Sequence, residues 1–394
     1  MWIPREIETL LSTTARQRPV VVVTGARQTG KTSLAQHLFP NCELVSLDLP
    51  SEAEQAERDP RGFLARHPPP LVVDEVQYAP GLFRHLKRAV DANRDRAGQF
   101  ILTGSQKLTL MRAVSDSLAG RAAVLELEGL SFCEIHAACP HFEVDDVLLR
   151  GGFPELYKAP ELNIEGFYRS YVATYLERDL RQLLRVSSLR DFERFVRASA
   201  LRSAGLLNLA ELARDVGISG STARQWLSML EISSQITLLE PWFSNQTKSL
   251  VKTPKLYIND SGLLAFLVGM RRASDLHGSP LRGALWETLV LAELRRAGIN
   301  RKGGWQLNFW RDRSSEVDFL LHRGGRFDLA DAKWTEHPDR GDVASLSRVA
   351  EKLPRDGAGR RAIFCRAGHR FPIDSRTEAL PLSLVADWAE PDGR

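Results

Sequence analysis

The chain is poor in cysteine, in long apolar runs and in net charge, and each shortage excludes something. Its four cysteines, Cys42, Cys133, Cys139 and Cys365, form no CxxC and have no histidine cluster beside them. A disulfide framework and a zinc site are therefore not expected, and a reduced cytosolic (cytoplasmic) protein with free thiols fits the pattern. No apolar run is long enough to span a bilayer. The N-terminus "MWIPREIETLLSTTARQRP" carries several charges and no long apolar core, so neither a membrane partner nor a signal peptide is expected. There is no low-complexity tract and no internal repeat, which argues against a solenoid. Lys and Arg number 53 against 49 Asp and Glu, a formal charge of +4. That is too small to establish a nucleic-acid partner, and it does not oppose one. What is present is ordinary for a globular protein: 43% hydrophobic and 26% charged residues in 394, which predicts about two or three domains, α/β in class.

The most informative segment is "PVVVVTGARQTGKTSLAQHLF". Val20 to Val23 is a continuous β-branched run, the signature of a strand buried on both faces. It leads into Gly25-Ala26-Arg27-Gln28-Thr29-Gly30-Lys31-Thr32, the G-x-x-x-x-G-K-T pattern, and Ser33 to Phe39 reads as the start of a helix. Strand, glycine loop and helix are the context this pattern needs to cradle phosphates, with loop N–H groups turned inward and the helix N-terminus behind them. Residues 25–33 are the expected nucleotide-binding segment. Lys31 is placed to reach the β- and γ-phosphates of ATP, and the Thr32 hydroxyl to meet Mg²⁺. A chance match in a glycine-rich turn is the bland alternative.

A partner for the magnesium is expected at the end of a second strand. In "PPLVVDEVQYAP" the apolar Leu71 to Val73 precede Asp74 and Glu75. Asp74 would hold Mg²⁺ through water and Glu75 would act as general base; alternatively the pair is a strand followed by an acidic helix cap. A third strand, "QFILTGSQ", ends in Thr103-Gly104-Ser105. Ser105 there either senses the γ-phosphate and positions water or serves simple turn chemistry. Arg121, just before another strand, is a catalytic candidate acting in cis or across a subunit interface, with an exposed strand-start arginine as the alternative.

The segments "GARQTGKTSL", "VVDEVQ", "LTGSQ", "SLAGR" and "GGFPE" (Gly151 to Glu155) together resemble a large bacterial and archaeal group of AAA-like P-loop ATPases. Members carry a C-terminal domain long labelled as of unknown function. The likeness covers nearly the whole chain in the same order, and the combination of "DEVQ" with "GGFP" is its most specific part. It implies an ATP-binding, ATP-hydrolysing first domain.

"GGFPELYKAP" marks a boundary near residue 155. Beyond it, Tyr168, Tyr171, Val172, Tyr175, Leu176, Leu180 and Leu183 recur at helical spacing and read as a packing stripe. "LNLAELARDVGISGSTARQWLSMLEIS" has helix-turn-helix grammar, with Ser219 or Ser221 capping the second helix. The extended segments "QITLLEPWF" and "KTPKLYIND" then read as a wing. If this module binds DNA, Thr222, Arg224 and Gln225 face the major groove while Lys248 and Lys252 meet phosphates. One arginine and no lysine on the second helix is thin charge for that task, and a lid or protein-contact surface is the alternative.

The C-terminal part opens with the helix "GALWETLVLAELRRAG", whose acidic residues are Glu287 and Glu293. The hairpin "EVDFLLHRGGRFDLADAKW" follows, folded at Gly324-Gly325. Alternation puts Asp331 and Lys333 on one face, and the turn can bring Asp318 towards them. Such carboxylates repel unless a cation neutralises them, and Mg²⁺ or Mn²⁺ with oxygen ligands would do so, with Lys333 orienting water. A surface ion pair on an edge strand is the bland alternative. The order helix, strand, Asp, then D-x-K resembles the PD-(D/E)xK restriction-endonuclease-like fold, which implies Glu287 as a further metal ligand. Val317 stands where that motif has proline, and Asp331 where Glu is commoner.

The expected organisation is residues 1–155 as an AAA-like P-loop domain, 156–265 as a helical and winged-helix domain, and 266–394 as a restriction-endonuclease-like α/β domain. Two functions fit: a Mg²⁺-dependent ATPase acting on or binding DNA, or a nucleotide-dependent switch with a protein partner or self-association and no nuclease activity. A kinase fits less well, since no acceptor-binding motif is present.

Overall fold

The structure is a computed structural model that describes residues 2–105, 107–176, 189–242, 253–301, 304–354 and 357–390. By contact the chain forms two compact units. The first is Met1–Leu130 with Phe153–Glu155 and Ile232–Ser234; the second is Ser131–Gly152, Leu156–Glu231 and Gln235–Arg394. Apart from Ile232–Ser234, the expected middle and C-terminal segments thus share one unit. Among the described residues no helix is long and apolar enough to cross a membrane, and all four cysteines are free thiols.

The first unit is built on five parallel strands: β1 (Val20–Thr24), β2 (Glu43–Ser46), β3 (Leu71–Asp74), β4 (Phe100–Gly104) and β5 (Ala122–Glu126), in the order β2-β3-β4-β1-β5. The three inner strands are buried along their whole length, which is why they read as near-continuous Val, Leu and Ile. Edge strands β2 and β5 are partly exposed and more mixed in composition. Because every strand runs the same way, the C-terminal ends of β1, β4 and β3 lie side by side at one edge.

In the second unit the helices Leu209–Val216 and Gly220–Ile232 are joined by Gly217, in left-handed conformation at φ 82°. Ser219, not Ser221, caps the second helix: its Oγ accepts the Thr222 N–H at 3.1 Å. Trp226 packs edge-on against Phe192 and Phe195 of the helix Leu189–Ala200. An antiparallel three-stranded sheet follows from β6 (Gly205–Leu206), β7 (Ile236–Leu239) and β8 (Lys255–Ile258), in the order β6-β8-β7. Lys248 and Lys252, expected in the wing, lie outside the described residues, as do Leu180 and Leu183 of the packing stripe. Its earlier part is buried at Tyr168 and Tyr171.

A six-stranded mixed sheet completes this unit: β9 (Gln306–Arg311), β10 (Glu316–Arg323), β11 (Arg326–Ala332), β12 (Ala358–Phe364), β13 (Phe371–Pro372) and β14 (Thr377–Leu380). The order is β13-β14-β12-β11-β10-β9. Gly324 and Gly325 both have positive φ, 53° and 87°, as a two-residue turn between right-twisted strands requires. The chain after β7 adds to the β9 edge, where Pro241 bridges Phe309 and the Trp242 N–H donates to the Phe309 carbonyl at 2.7 Å.

The "GGFP" glycines are explained within this unit. Gly151 has φ 67° and ψ −156°, a conformation essentially reserved for glycine. Its neighbour Gly152 donates its N–H to Asp260 Oδ2 at 2.7 Å, while Asp260 Oδ1 accepts from the Tyr168 hydroxyl and the Leu263 N–H, each at 2.8 Å. A Cβ at position 151 would overlap the Asp260 carboxylate and the Tyr168 hydroxyl. Gly151→Ala is therefore expected to cost at least about 2 kcal/mol of stability, read as a lower urea midpoint. An unchanged midpoint would show that this latch does not hold the fold.

Candidate functional site

The phosphate-type loop follows from the end of β1. Gly25 has φ 146°, and a Cβ there would overlap the Leu127 carbonyl oxygen. Gly30 is left-handed, at φ 93°, immediately before the helix Lys31–Leu38. Gln28, at φ 63°, adopts the same unusual conformation without being glycine. The loop is pinned from outside by Arg5, a residue that motif-based sequence reading passed over. Arg5 is buried and donates to the Thr29 carbonyl at 3.0 Å and the Glu128 carbonyl at 2.8 Å. Ala26, Arg27 and Gln28 are half-buried and Ser33 is exposed. Lys31 is buried, its ammonium donating to the loop's own Gly25 and Ala26 carbonyls at 3.1 and 2.8 Å.

Asp74 gathers three hydroxyls, two from the ends of β2 and β4 and one from the first turn of the helix Lys31–Leu38. Its Oδ1 accepts from Thr32 Oγ1 at 2.7 Å and from Thr103 Oγ1, and its Oδ2 from Ser46 Oγ at 3.1 Å. Thr32 and Asp74, the two residues expected to face Mg²⁺, are thus already adjacent. Glu75 is left-handed at φ 52°, ψ 44°, a strained position for a non-glycine residue. Its Oε2 accepts from Ser105 Oγ at 2.9 Å, from the Ser105 N–H at 3.3 Å and from Gln77 Nε2. Burial by itself would raise the Glu75 carboxyl. The Lys31 charge outweighs it together with the Gln77 and Ser105 hydrogen bonds and Arg27, and the group is held below its usual range. An ionised carboxylate at this edge is a base without a proton to lose first. Gln77, the last residue of "DEVQ", is the second contributor that motif reading did not single out.

Arg121 is placed elsewhere. It precedes β5, which runs parallel to β1 with Val20 opposite Ala122, so it stands at the N-terminal edge of the sheet, away from the loop. There it pairs with Asp91 at 2.7 and 3.0 Å and with the Ala119 carbonyl at 3.1 Å. The structure does not bring it to Lys31 and Glu75 of its own chain.

The second cluster of predicted residues is brought together. The register of β10 with β11, Phe319 against Ala330, sets Asp318 beside Asp331. The Asp318 N–H donates to Asp331 Oδ1 at 3.0 Å, and the Ala332 N–H to Asp318 Oδ2 at 3.2 Å. Lys333 Nζ lies 3.6 Å from Asp331 Oδ2. Glu287 joins from the helix Arg282–Asn300, accepting the Tyr257 hydroxyl at 2.6 Å. Glu293 of the same helix is not part of the cluster; it accepts from the Phe132 N–H and from Arg296.

The cation among these carboxylates is a residue of the chain. Lys255, the first residue of β8, is 2% exposed, and its Nζ lies 3.0 Å from Glu287 Oε1, 3.0 Å from Asp318 Oδ1 and 2.9 Å from Glu316 Oε1. Those neighbours hold it charged well above the ordinary lysine value in spite of burial. The donor set expected for Mg²⁺ or Mn²⁺ at Glu287, Asp318 and Asp331 therefore does not fit a divalent ion in this arrangement, because an ammonium already stands between two of its members. Among the described residues no group of three or more His, Cys, Asp and Glu side chains is arranged to hold a metal. The sequence signal for Lys255 was a lone charge opening the apolar strand "KLYI".

Comparisons with known proteins match three stretches of the chain. A family profile described as an AAA domain matches residues 17–136, and two described as domains of unknown function, DUF8612 and DUF4143, match residues 141–274 and 282–385. The uncharacterized proteins Rv2008c of Mycobacterium tuberculosis and Mb2031c of Mycobacterium bovis are each 31% identical over 385 residues, 97% of this chain and 84% of theirs. The chain belongs to their family. Its first domain is an AAA-type P-loop ATPase domain, followed by a domain with a mixed sheet. Among solved structures, the Walker-type ATPase PABY2304 of Pyrococcus abyssi shares 16% identity with a TM-score of 0.47, over 68% of this chain and 96% of that one.

Burial, and after it the Asp318 charge, pushes Glu287 up to about 8 and Asp331 up to about 7. Both keep a proton in the folded protein at pH values where the unfolded chain has lost it, so their contribution is complete below about pH 4 and disappears as pH rises through about 8. Stability should fall across that window by up to about 1.4 kcal/mol per pH unit for each proton. Urea denaturation at several pH values should show the decline, and Glu287→Gln should flatten it. A wild-type profile that rises from mildly acidic to neutral pH would contradict the assignment.

Proposed function

We propose that this chain is a Mg²⁺-dependent ATP hydrolase in which residues 25–33 hold the nucleotide and Glu75 is the general base. The observation that supports it best is the convergence of Lys31, Thr32, Asp74, Glu75 and Ser105 on one sheet edge, with Thr32 and Asp74 2.7 Å apart. ATP brings the phosphoanhydride bond, and bound Mg²⁺ would offset charge on its phosphates. Loop N–H groups and Lys31 would bind the phosphates. Thr32 and Asp74 would hold the metal. Glu75 would take the proton of the attacking water, with Ser105 and Gln77 orienting its carboxylate. Arg121, at the far edge of the sheet, is left to a role towards a neighbouring molecule. Lys31→Ala should abolish turnover, and Glu75→Gln should slow it by on the order of a hundredfold or more while nucleotide binding survives. Undiminished hydrolysis by Lys31→Ala would remove the ATPase assignment.

The rest of the chain is proposed to convert nucleotide state into contact with a partner. The helix pair with its three-stranded sheet is read as a winged helix, and the mixed sheet as restriction-endonuclease-like in fold. Ser221, Arg224, Gln225 and Ser228 are exposed on the second helix, with Thr222 half-buried beside them, which supports DNA contact there. Arg224 as the face's one cation favours weak DNA contact or a protein partner. Cleavage is not proposed, since Lys255 holds the position a catalytic metal would need. Fluorescence anisotropy on labelled duplex DNA at two salt concentrations separates the partners. Salt-sensitive binding weakened by Arg224→Ala supports DNA, and no binding at low salt leaves the nucleotide-dependent protein switch.

A further inference from the structure

We infer that Lys255 is a built-in cation that closes the acidic cluster of the C-terminal sheet to divalent metal. Three carboxylates from two elements, Glu287 on a helix and Glu316 and Asp318 on β10, each place an oxygen about 3.0 Å from one ammonium. That is hydrogen-bond distance, and each of the ammonium's three protons has a carboxyl oxygen to meet. A Mg²⁺ or Mn²⁺ bound to Glu287 and Asp318 would sit about 2.1 Å from the same oxygens and against the ammonium nitrogen, two like charges in a buried site. The lysine and the metal therefore exclude each other.

The β7–β8 pair that carries the lysine is held at a second point. Where β7 ends, the chain pairs with β9: the Phe309 N–H donates to the Glu240 carbonyl at 3.2 Å, and Trp242 stacks on Trp310. Lys255 enters from β8 on the other arm of the same antiparallel pair, and its ammonium lies 5.6 Å from the centre of the Phe309 ring. Both arms thus dock on the β9–β10 side of the mixed sheet.

This inference does not rest on ATP hydrolysis, and its test needs no nucleotide. Mn²⁺ is titrated into nucleotide-free full-length protein carrying Asp74→Asn, which removes the other metal-facing carboxylate. Binding is read by the electron paramagnetic resonance of free Mn²⁺ and by melting temperature. With Lys255 present, binding at the cluster should be weak. Adding Lys255→Met should tighten it by about tenfold or more and make the melting temperature rise with Mn²⁺, and Asp318→Asn should reverse both. Should Lys255→Met alone fail to fold, Lys255→Met with Glu316→Gln removes one charge of each sign and undergoes the same titration. Equal Mn²⁺ affinity with and without Lys255 overturns the inference. So does tight Mn²⁺ binding by the Lys255-containing protein that Asp318→Asn abolishes.

Discussion

A carboxylate can be buried only where a donor or a cation is buried with it, and both chemical centres of this chain obey that rule. Lys31 and Lys255 are the buried ammonium groups around which each is arranged. Lys31 helps to keep Glu75 ionised at the edge of a parallel sheet. Lys255 lets Glu287, Glu316 and Asp318 share one interior position. Remove either ammonium and the surrounding carboxylates lose the charge that makes their location tolerable, a loss that typically costs about 3–5 kcal/mol for a buried pair. The two centres use the same means for different ends. One lysine lies along its own loop, against the Gly25 and Ala26 carbonyls. The other has every donor engaged and nothing further to bind.

Local chemistry was legible in the sequence and distant chemistry was not. The glycine loop, the hydroxyl after its lysine and the acidic pair at a strand end lie within short windows whose spacing dictates geometry. Gly324-Gly325 fixed the hairpin register in the same local way, and with it the meeting of Asp318 and Asp331. Lys255 could not be placed by such means, because its contact with Asp318 spans 63 residues and depends on how two sheets pack. Asp260 is alike: it explains the "GGFP" glycines from 108 residues away. Arg121 shows a third limit. Its neighbours in sequence suggest proximity to the phosphate loop, yet the direction of β5 carries it to the other end of the sheet.

The hydroxyls around Asp74 also show why motif residues are not interchangeable with their roles. Thr103 lies within β4 and Ser105 just past its end, where strand alternation no longer governs direction, and the two serve different acids: Thr103 reaches Asp74 and Ser105 reaches Glu75. Each of the two neighbouring acids thus has a hydroxyl of its own. Gln77 adds to the second group because Glu75 turns left-handed and the chain folds back through a short 3₁₀ turn, Val76–Tyr78. The strain at Glu75 is the local cost of aiming that carboxylate.

The pairing of Glu240–Trp242 with β9 has a consequence for assembly. An uncovered edge strand offers unpaired N–H and C=O groups to any other chain, and is a common starting point for uncontrolled association. Here one margin of the mixed sheet is overlaid by the molecule's own backbone. The opposite margin is the two-residue β13, ending in Pro372, which has no N–H to give. Strand addition is discouraged at both margins, so recognition of another macromolecule by this sheet falls to side chains on its surfaces. Any event that lifted the covering segment would expose an adhesive border as well as a charged interior, and selection against aggregation gives the chain a second reason to keep it seated.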